Sequence, residues 1–198
     1  MISEKMNNNS VLNKPNAWAV LVFLLVAGIT RALPHPPNFA PIAAMALFGG
    51  AYLTDRKLAF LLPLVAMMFS DLLLEGLYQL NLHEYSGLHN TMFFVYGSMI
   101  AISGIGMLLK NRVKPISLVA ASFSASVLFF IVTNFGVYAS GLYGTEPTSF
   151  ITTYVMAIPF FGPTALGDLF FTGVLFGGFE LLKSRMPEYS LVRVRVRK

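Results

Sequence analysis

Long apolar stretches alternate with short polar connections along the whole chain. The apolar stretches cover residues 17–33, 39–53, 58–80, 91–109, 116–140 and 150–182, and most charged residues lie between them. A helix that crosses the hydrocarbon core of a bilayer needs about 20 mostly apolar residues. The pattern therefore predicts an all-α integral membrane protein with six transmembrane helices.

Two of these stretches depart from a simple membrane span. The second has about 15 residues, which is short for a full crossing. The sixth contains Pro159 and Pro163. Because proline removes a helical hydrogen bond and clashes with the preceding turn, we expect a kink or a short re-entrant piece before the true sixth span.

Composition agrees with a membrane location. Of the 198 residues, 56% are hydrophobic and only 12% are charged, and there is no cysteine. The absence of cysteine excludes disulfides and thiolate metal sites. The chain contains neither a GxxxxGK[ST] phosphate loop nor an HExxH zinc motif. These absences argue against an ATPase and against an intramembrane zinc protease.

Basic residues mark one side of the membrane. All of the 14 lysines and arginines except Arg31 fall before the first span, in the second and fourth connections, or after the sixth span. Cytoplasmic loops carry an excess of Lys and Arg, so both termini are predicted to be cytoplasmic. The predicted organisation is a tail over 1–16, a transmembrane domain over 17–182 and a basic tail over 183–198, in the inner membrane. The net charge of +5 belongs to membrane edges and indicates no nucleic-acid partner.

Arg31 is the one basic residue predicted on the outer side, and the proline-rich segment "LPHPPN" follows it. A guanidinium can clamp a carboxylate or a phosphate through its planar donor fork. The prolines would hold that fork in place, as in a preorganised lid. The alternative is an interfacial anchor or a salt bridge from Arg31 to Glu75 or Glu84.

Two aspartates fall within predicted spans. Asp71 lies in the third span and Asp168 in the sixth. An ionisable group at that depth costs a few kcal/mol, so each should face the bundle interior, a partner or water. For Asp71 a structural role and a functional role stay equally open. For Asp168 we expect a functional role, because it follows the predicted break in the sixth helix.

The remaining polar and aromatic candidates are predicted near the outer side, which is the profile of a small-molecule pocket. Histidines His83 and His89 are six residues apart, which is no zinc signature, so no metal site and no cofactor are predicted. The predicted substrate-binding residues are Arg31, His35, Asn38, His83, Tyr85, His89, Asn134, Tyr138, Phe161 and Asp168.

Pairs of small residues recur at helical spacing. These are Ala40 with Ala44, Ala121 with Ala125, and Gly173 with Gly177. Such pairs let helices approach closely, either within one bundle or against a partner subunit. Packing within the bundle is the default expectation.

Four segments carry a family resemblance that covers nearly the whole chain. The segments "RALPHPPNFAPIAAMALFGGAYL", "SDLLLEG", "VTNFGVY" and "YVMAIPFFGPTALGDLFF" closely resemble an uncharacterised bacterial membrane family with the motif R-x-LPHPPNF. That family is similar in size and topology to the substrate-binding S components of energy-coupling factor transporters. The resemblance implies a pocket formed by outer loops one, three and five with spans four to six. It also implies that a face such as Ala40 and Ala44 meets a transmembrane coupling subunit, which works with two ATPases.

The favoured function is a binding and translocation subunit for uptake of a small, vitamin-like solute or precursor, energised by partner subunits. Arg31 and His35 would gate and orient the solute, while residues of the loops and helices would cover and contact it. One alternative is an integral membrane enzyme that uses Asp168 and a histidine as acid and base on a lipid-soluble molecule. That alternative is weaker because no nucleophile stands out, and no catalytic residue is predicted. A structural subunit without a ligand is the third possibility.

Overall fold

Six α-helices form the structure, a computed structural model that describes residues 14–110, 112–144 and 146–185. The helices are α1 (Lys14–Thr30), α2 (Ile42–Tyr52), α3 (Arg56–Gln79), α4 (Met92–Leu108), α5 (Pro115–Ala139) and α6 (Pro147–Arg185). Each ends within a few residues of the apolar stretch that predicts it, and the described residues contain no strand. Residues 1–13 and 186–198, which hold most of the two predicted tails, lie outside the described ranges.

The helices have the length and the surface expected of a membrane protein. Helices α3, α5 and α6 are long and apolar enough to cross a bilayer, and α1, α2 and α4 are shorter apolar helices. Large apolar side chains such as Trp18, Phe93 and Ile116 are exposed on the outer faces of the bundle. Contiguous apolar surface of this kind is rare on soluble monomers. It is expected where a protein contacts lipid.

Helix α2 forms the centre of the bundle. Every residue from Ala43 to Ala51 is buried, and α2 packs against all five other helices. A helix that is apolar on all sides is stable only inside a protein or a membrane. Its 11 residues extend about 16 Å, roughly half of a bilayer core.

Glycines allow the close approach of α4 to α2. A Cβ atom on Gly106 would lie 2.3 Å from the carbonyl oxygen of Leu47, and one on Gly50 would lie 2.1 Å from that of Ser103. Both distances are far below van der Waals contact and involve backbone atoms. The two helices therefore pack at this distance only because both positions lack a side chain.

Helix α6 corrects the prediction of a re-entrant piece in the sixth segment. It is one continuous helix of 39 residues with Pro159 and Pro163 inside it. There is no re-entrant piece. Each proline removes a single helical hydrogen bond, and the neighbouring helices hold the segment in its helical conformation.

One small-residue pair packs inside the chain, a second does so only at Ala44, and the third is exposed. Ala44, Ala121 and Ala125 are buried. The expectation that the Ala40 and Ala44 face meets a partner subunit is therefore wrong for Ala44, which this chain itself covers. Gly173 and Gly177 are exposed on α6.

The tight α2–α4 crossing generates a stability prediction for two glycines of α4. We expect Gly106→Ala to lower the free energy of unfolding by about 1–3 kcal/mol, because its methyl group overlaps the backbone of α2. The matched variant Gly104→Ala places its methyl group where no atom lies within 4 Å. It should gain up to about 1 kcal/mol from helix propensity. Thermal unfolding of the purified protein in detergent measures both, and equal midpoints for the two variants would contradict the described crossing.

Candidate functional site

A cavity of about 540 Å³ opens at the end of the bundle where α1, α3 and α5 end and α2, α4 and α6 begin. The two connections at this end, residues 31–41 and 80–91, contribute Arg31, His35, Asn38, Ala40, His83, Tyr85, Ser86 and His89 to its lining. The helices contribute Ile42, Ala43, Leu74, Val95, Phe129, Phe130, Thr133, Asn134, Val137, Ala157, Phe160, Thr164 and Asp168.

Helices α5 and α6 form the longest walls. On α6 the lining residues Ala157, Phe160, Thr164 and Asp168 follow each other at intervals of three or four, as one helix face requires. On α5 a second face carries Phe130 and its neighbours at the same spacing. Most side chains on these faces are apolar, so the cavity suits a molecule with an apolar or aromatic body.

A buried ion pair forms the polar part of the wall. Arg31 Nη1 donates to Asp71 Oδ1 at 2.7 Å and to Ser70 Oγ at 3.0 Å. The side chains of Arg31 and Asp71 are only 12% and 3% exposed. The sequence-based alternative of a salt bridge to Glu75 or Glu84 is thus wrong about the partner, because Asp71 lies one helical turn deeper on α3 and reaches the guanidinium.

The ion pair belongs to a network that connects three helices. Tyr96 Oη on α4 donates to Asp71 Oδ2 at 2.7 Å, and Ser70 Oγ donates to the carbonyl oxygen of Gly28 on α1 at 2.8 Å. Both carboxylate oxygens of Asp71 are therefore used. On Arg31, by contrast, Nε and Nη2 have no hydrogen-bond acceptor among the described residues, and this side chain lines the cavity. These donors are free to bind a molecule in the cavity.

The proline-rich connection has a defined shape. The backbone N–H of Phe39 donates to the carbonyl oxygen of Pro36 at 3.1 Å, and Asn38 has a φ of 62°. Proline followed by asparagine with a positive φ is the signature of a type II turn. The ring nitrogens of His35 lie 2.9 Å from the carbonyl oxygen of Pro36 and 3.2 Å from that of Arg31. The imidazole therefore lies between the carbonyl groups of Arg31 and Pro36.

The connection over residues 80–91 packs tightly on α3. A Cβ atom on Gly87 would lie 1.9 Å from the carbonyl oxygen of Asp71, so the loop backbone touches the helix. The hydroxyl of the adjacent Ser86 donates to the Glu75 carboxylate. These contacts hold three aromatic side chains of the loop, His83, Tyr85 and His89, at the cavity.

One of these side chains has an altered acidity. Burial lowers the pKa of His89, so its imidazole is neutral near pH 7. Its Nδ1 lies 3.0 Å from Thr91 Oγ1. At neutral pH, His89 therefore contributes hydrogen-bonding groups to the cavity and no charge.

Asp168 lies at the floor of the cavity and caps α2. Its Oδ1 accepts from the backbone N–H of Ala43 at 3.2 Å, and its Oδ2 accepts from Ser126 Oγ at 2.7 Å. The first N–H groups of a helix have no partner within that helix. Asp168 on α6 supplies one for α2 across the bundle. The predicted break in α6 before Asp168 is absent, so the reason for expecting a functional role was wrong, although Asp168 does line the cavity.

The structure brings eight of the ten predicted site residues to the cavity: Arg31, His35, Asn38, His83, Tyr85, His89, Asn134 and Asp168. Tyr138 and Phe161 lie outside the lining. The Tyr138 ring packs against Phe150 with centroids 5.4 Å apart, and the Phe161 ring packs behind Phe130 at 5.3 Å. The loop between α5 and α6, which the resemblance placed at the pocket, contributes no lining residue in its described part.

Sequence reasoning missed the apolar walls. Phe130 and Val137 flank Asn134 at helical spacing, and Phe160 and Thr164 precede Asp168 in the same way. Extending each polar candidate by three and four residues along its helix would have found them. In the described part of the chain, no group of three or more His, Cys, Asp or Glu residues is arranged to hold a metal ion.

The Arg31–Asp71 pair generates a stability prediction. Breaking a buried pair leaves one charge uncompensated, so we expect Asp71→Ala to lower the free energy of unfolding by about 3–5 kcal/mol. The double variant Arg31→Leu with Asp71→Leu should lose less, because neither charge remains. Thermal unfolding in detergent shows which of the two variants is less stable. If the double variant were less stable than Asp71→Ala, the main role of the pair would not be to compensate two buried charges.

Comparison with known proteins yields one match. No curated protein and no solved structure matches the chain. The profile of one family matches residues 12–189 and therefore covers every helix. The chain belongs to DUF6580, a family of unknown function.

Proposed function

We propose that this protein is a membrane-embedded subunit that binds a small solute for uptake across the inner membrane. The main supporting observation is the cavity of about 540 Å³, whose wall contains the Arg31 guanidinium with unused hydrogen-bond donors. Pockets for small molecules typically have volumes of about 300–1,000 Å³, apolar walls and a few polar groups that orient the ligand. The cavity has all three properties.

Six spans with both termini in the cytoplasm fit this role. Arg56, Lys57, Lys110 and Arg112 lie at helix ends opposite the cavity. Under the positive-inside rule that end is cytoplasmic, so the cavity opens to the outside. An outward cavity is what a subunit for uptake requires.

The shortness of α2 accounts for the depth of the cavity. Five surrounding helices shield α2 from lipid, so its 11 residues need not span the bilayer. Ile42 and Ala43, at its N-terminus, line the cavity floor. The part of the membrane thickness that α2 does not fill is thus left for a solute.

Recognition of the solute would begin at Arg31. Its free Nε and Nη2 donors suit a carboxylate or carbonyl oxygen, which the guanidinium fork binds through two parallel hydrogen bonds. Asn134 Nδ2 donates to the carbonyl oxygen of Phe130 at 2.8 Å, which leaves its Oδ1 as an acceptor for a donor on the solute. Aromatic side chains on α5 and α6 would pack against a planar, vitamin-like body.

Partner subunits would supply the energy for transport. The sequence has no phosphate loop, so an ATP-driven process needs separate ATPases. In the proposed arrangement, which follows only the sequence-based resemblance to S components of energy-coupling factor transporters, a transmembrane coupling subunit would join the two. Because Ala44 is buried, the contact with that subunit would use a different face from Ala40 and Ala44.

The guanidinium fork provides the test of solute binding. We expect Arg31→Lys to keep an ion pair with Asp71 and the fold, but to lose the planar donors and weaken solute binding at least about tenfold. Native mass spectrometry of protein extracted gently from its own membrane measures a co-purifying molecule in wild type and variant. Arg112→Lys, at an exposed position on the opposite end, is the matched control.

Three outcomes would count against the proposal. If Arg31→Lys retained the co-purifying molecule as well as wild type does, Arg31 would not belong to the binding site. A wild-type mass without any adduct, repeated after soaking with vitamins and nucleoside precursors, would contradict solute binding. A bound molecule that is chemically altered during incubation would favour the membrane enzyme.

Tight packing of the 80–91 loop generates a kinetic prediction. The methyl group of Gly87→Ala would push this loop away from α3, so we expect the bound molecule found in wild type to dissociate several-fold faster. Gly97→Ala, where nothing lies within 4 Å of the added atom, is the control. The rate at which the adduct is lost after dilution measures the effect. Identical rates would show that the loop does not hold the solute.

A further inference from the structure

A buried carboxylate without a basic partner lies below the cavity. Asp168 is 1% exposed, and no Lys, Arg or His side chain in the described ranges forms an ion pair with it. A charge inside a membrane protein is costly unless it is compensated, and such residues commonly mark ion pathways. Asp71, the other buried carboxylate, has Arg31 as its partner.

The partners that Asp168 does have compensate only part of a full charge. The N-terminus of α2 carries a partial positive charge of about half a unit. Ser126 has one hydroxyl proton, but its Oγ lies within hydrogen-bond distance of two acceptors, Asp168 Oδ2 at 2.7 Å and the carbonyl oxygen of Ser122 at 3.1 Å. One hydroxyl proton cannot serve both acceptors at once.

Two further hydroxyl groups follow on the same two helices at helical spacing. Helices α5 and α6 are antiparallel, because Tyr138 contacts Phe150 at one level and Ser126 contacts Asp168 further down. One helical turn beyond that level are Ser122 on α5 and Thr172 on α6. Each of these residues is 1% exposed, and neither hydroxyl oxygen has a hydrogen-bond partner.

We propose that Asp168, Ser126, Ser122 and Thr172 form a binding site for a sodium ion beneath the solute cavity. The ligands would be the Asp168 carboxylate, the three hydroxyl oxygens and the carbonyl oxygen of Ser122. All are oxygen atoms, which hard cations prefer. One carboxylate balances one positive charge, which favours a monovalent ion over a divalent one.

The position of the site explains how the ion would enter and what it would stabilise. Asp168 belongs both to the cavity lining and to the ion site, so the ion enters from the cavity. An ion bound there neutralises the carboxylate and, through the cap on Ala43, stabilises the N-terminus of α2 below the solute. This inference does not rest on the identity of the solute, and its test requires none.

Sodium binding is tested on the purified full-length chain in detergent. The protein is exchanged into choline chloride, and sodium chloride then replaces choline chloride at constant ionic strength while the unfolding midpoint is measured. We expect a saturable rise with sodium, and a clearly smaller rise when potassium chloride is used. Binding of radioactive sodium by the folded protein provides an independent measurement.

Variants of the two unpartnered hydroxyls decide the assignment, because Asp168 also caps α2 and its loss would disturb the fold. Thr172→Val and Ser122→Ala should each raise the half-saturating sodium concentration about tenfold or more. Thr152→Val on α6 and Ser124→Ala on α5 remove exposed hydroxyls and are the matched controls. We expect both controls to respond to sodium as wild type does.

Several results would overturn the proposal. A midpoint that does not depend on sodium would indicate a buried water molecule or a protonated Asp168. If Thr172→Val is more stable than wild type by the same margin in choline and in sodium, Thr172 is only an unsatisfied hydroxyl. A sodium response that both variants retain in full would place the ion elsewhere, and an equal response to potassium would exclude sodium selectivity.

Discussion

The architecture depends on the burial of a helix that is too short to cross the membrane. Helix α2 contacts all five other helices, and nine consecutive residues of it are inaccessible to solvent or lipid. This burial requires small residues, because the surrounding backbones come within van der Waals distance of Gly50 and Gly106. It also requires hydrogen-bond acceptors for the first N–H groups of α2, which are far from water. Asp168 meets that requirement from α6, and the space above the N-terminus of α2 becomes the cavity.

Two aspartates in apolar helices are stabilised in different ways. Asp71 has a cationic partner and a phenol hydroxyl, so its charge is compensated and it connects three helices. Asp168 has a helix N-terminus and a serine hydroxyl, which compensate only part of a full charge. Residues of the same type in apolar helices therefore differ in chemistry. The first is part of the framework, and the second lies where a cation would be stabilised.

The wall of the cavity combines a rigid framework with unused polar groups. Arg31 Nη1 is held by Asp71 and Ser70, while the other donors of the same guanidinium are free. The two loops at the cavity are fixed by local contacts, the Pro36–Phe39 turn in one and the contact between Gly87 and α3 in the other. A site prepared in this way loses little conformational entropy when a solute binds. The proposed binding role relies on that property.

The hydrophobic pattern alone predicted six helices and nearly all of their ends, because a membrane helix must be apolar over a length set by the bilayer. The proline-rich segment, with Arg31 and Asn38, and the polar residues of the second loop were also found from the sequence, since polar groups between apolar spans are conspicuous. Only the tertiary structure decided which residues meet. It paired Arg31 with Asp71, kept α6 continuous through two prolines, and placed Tyr138 and Phe161 behind the wall. The physical reason is that partners are chosen by the relative rotation and depth of packed helices, and these follow from side-chain packing between segments that are distant in the sequence.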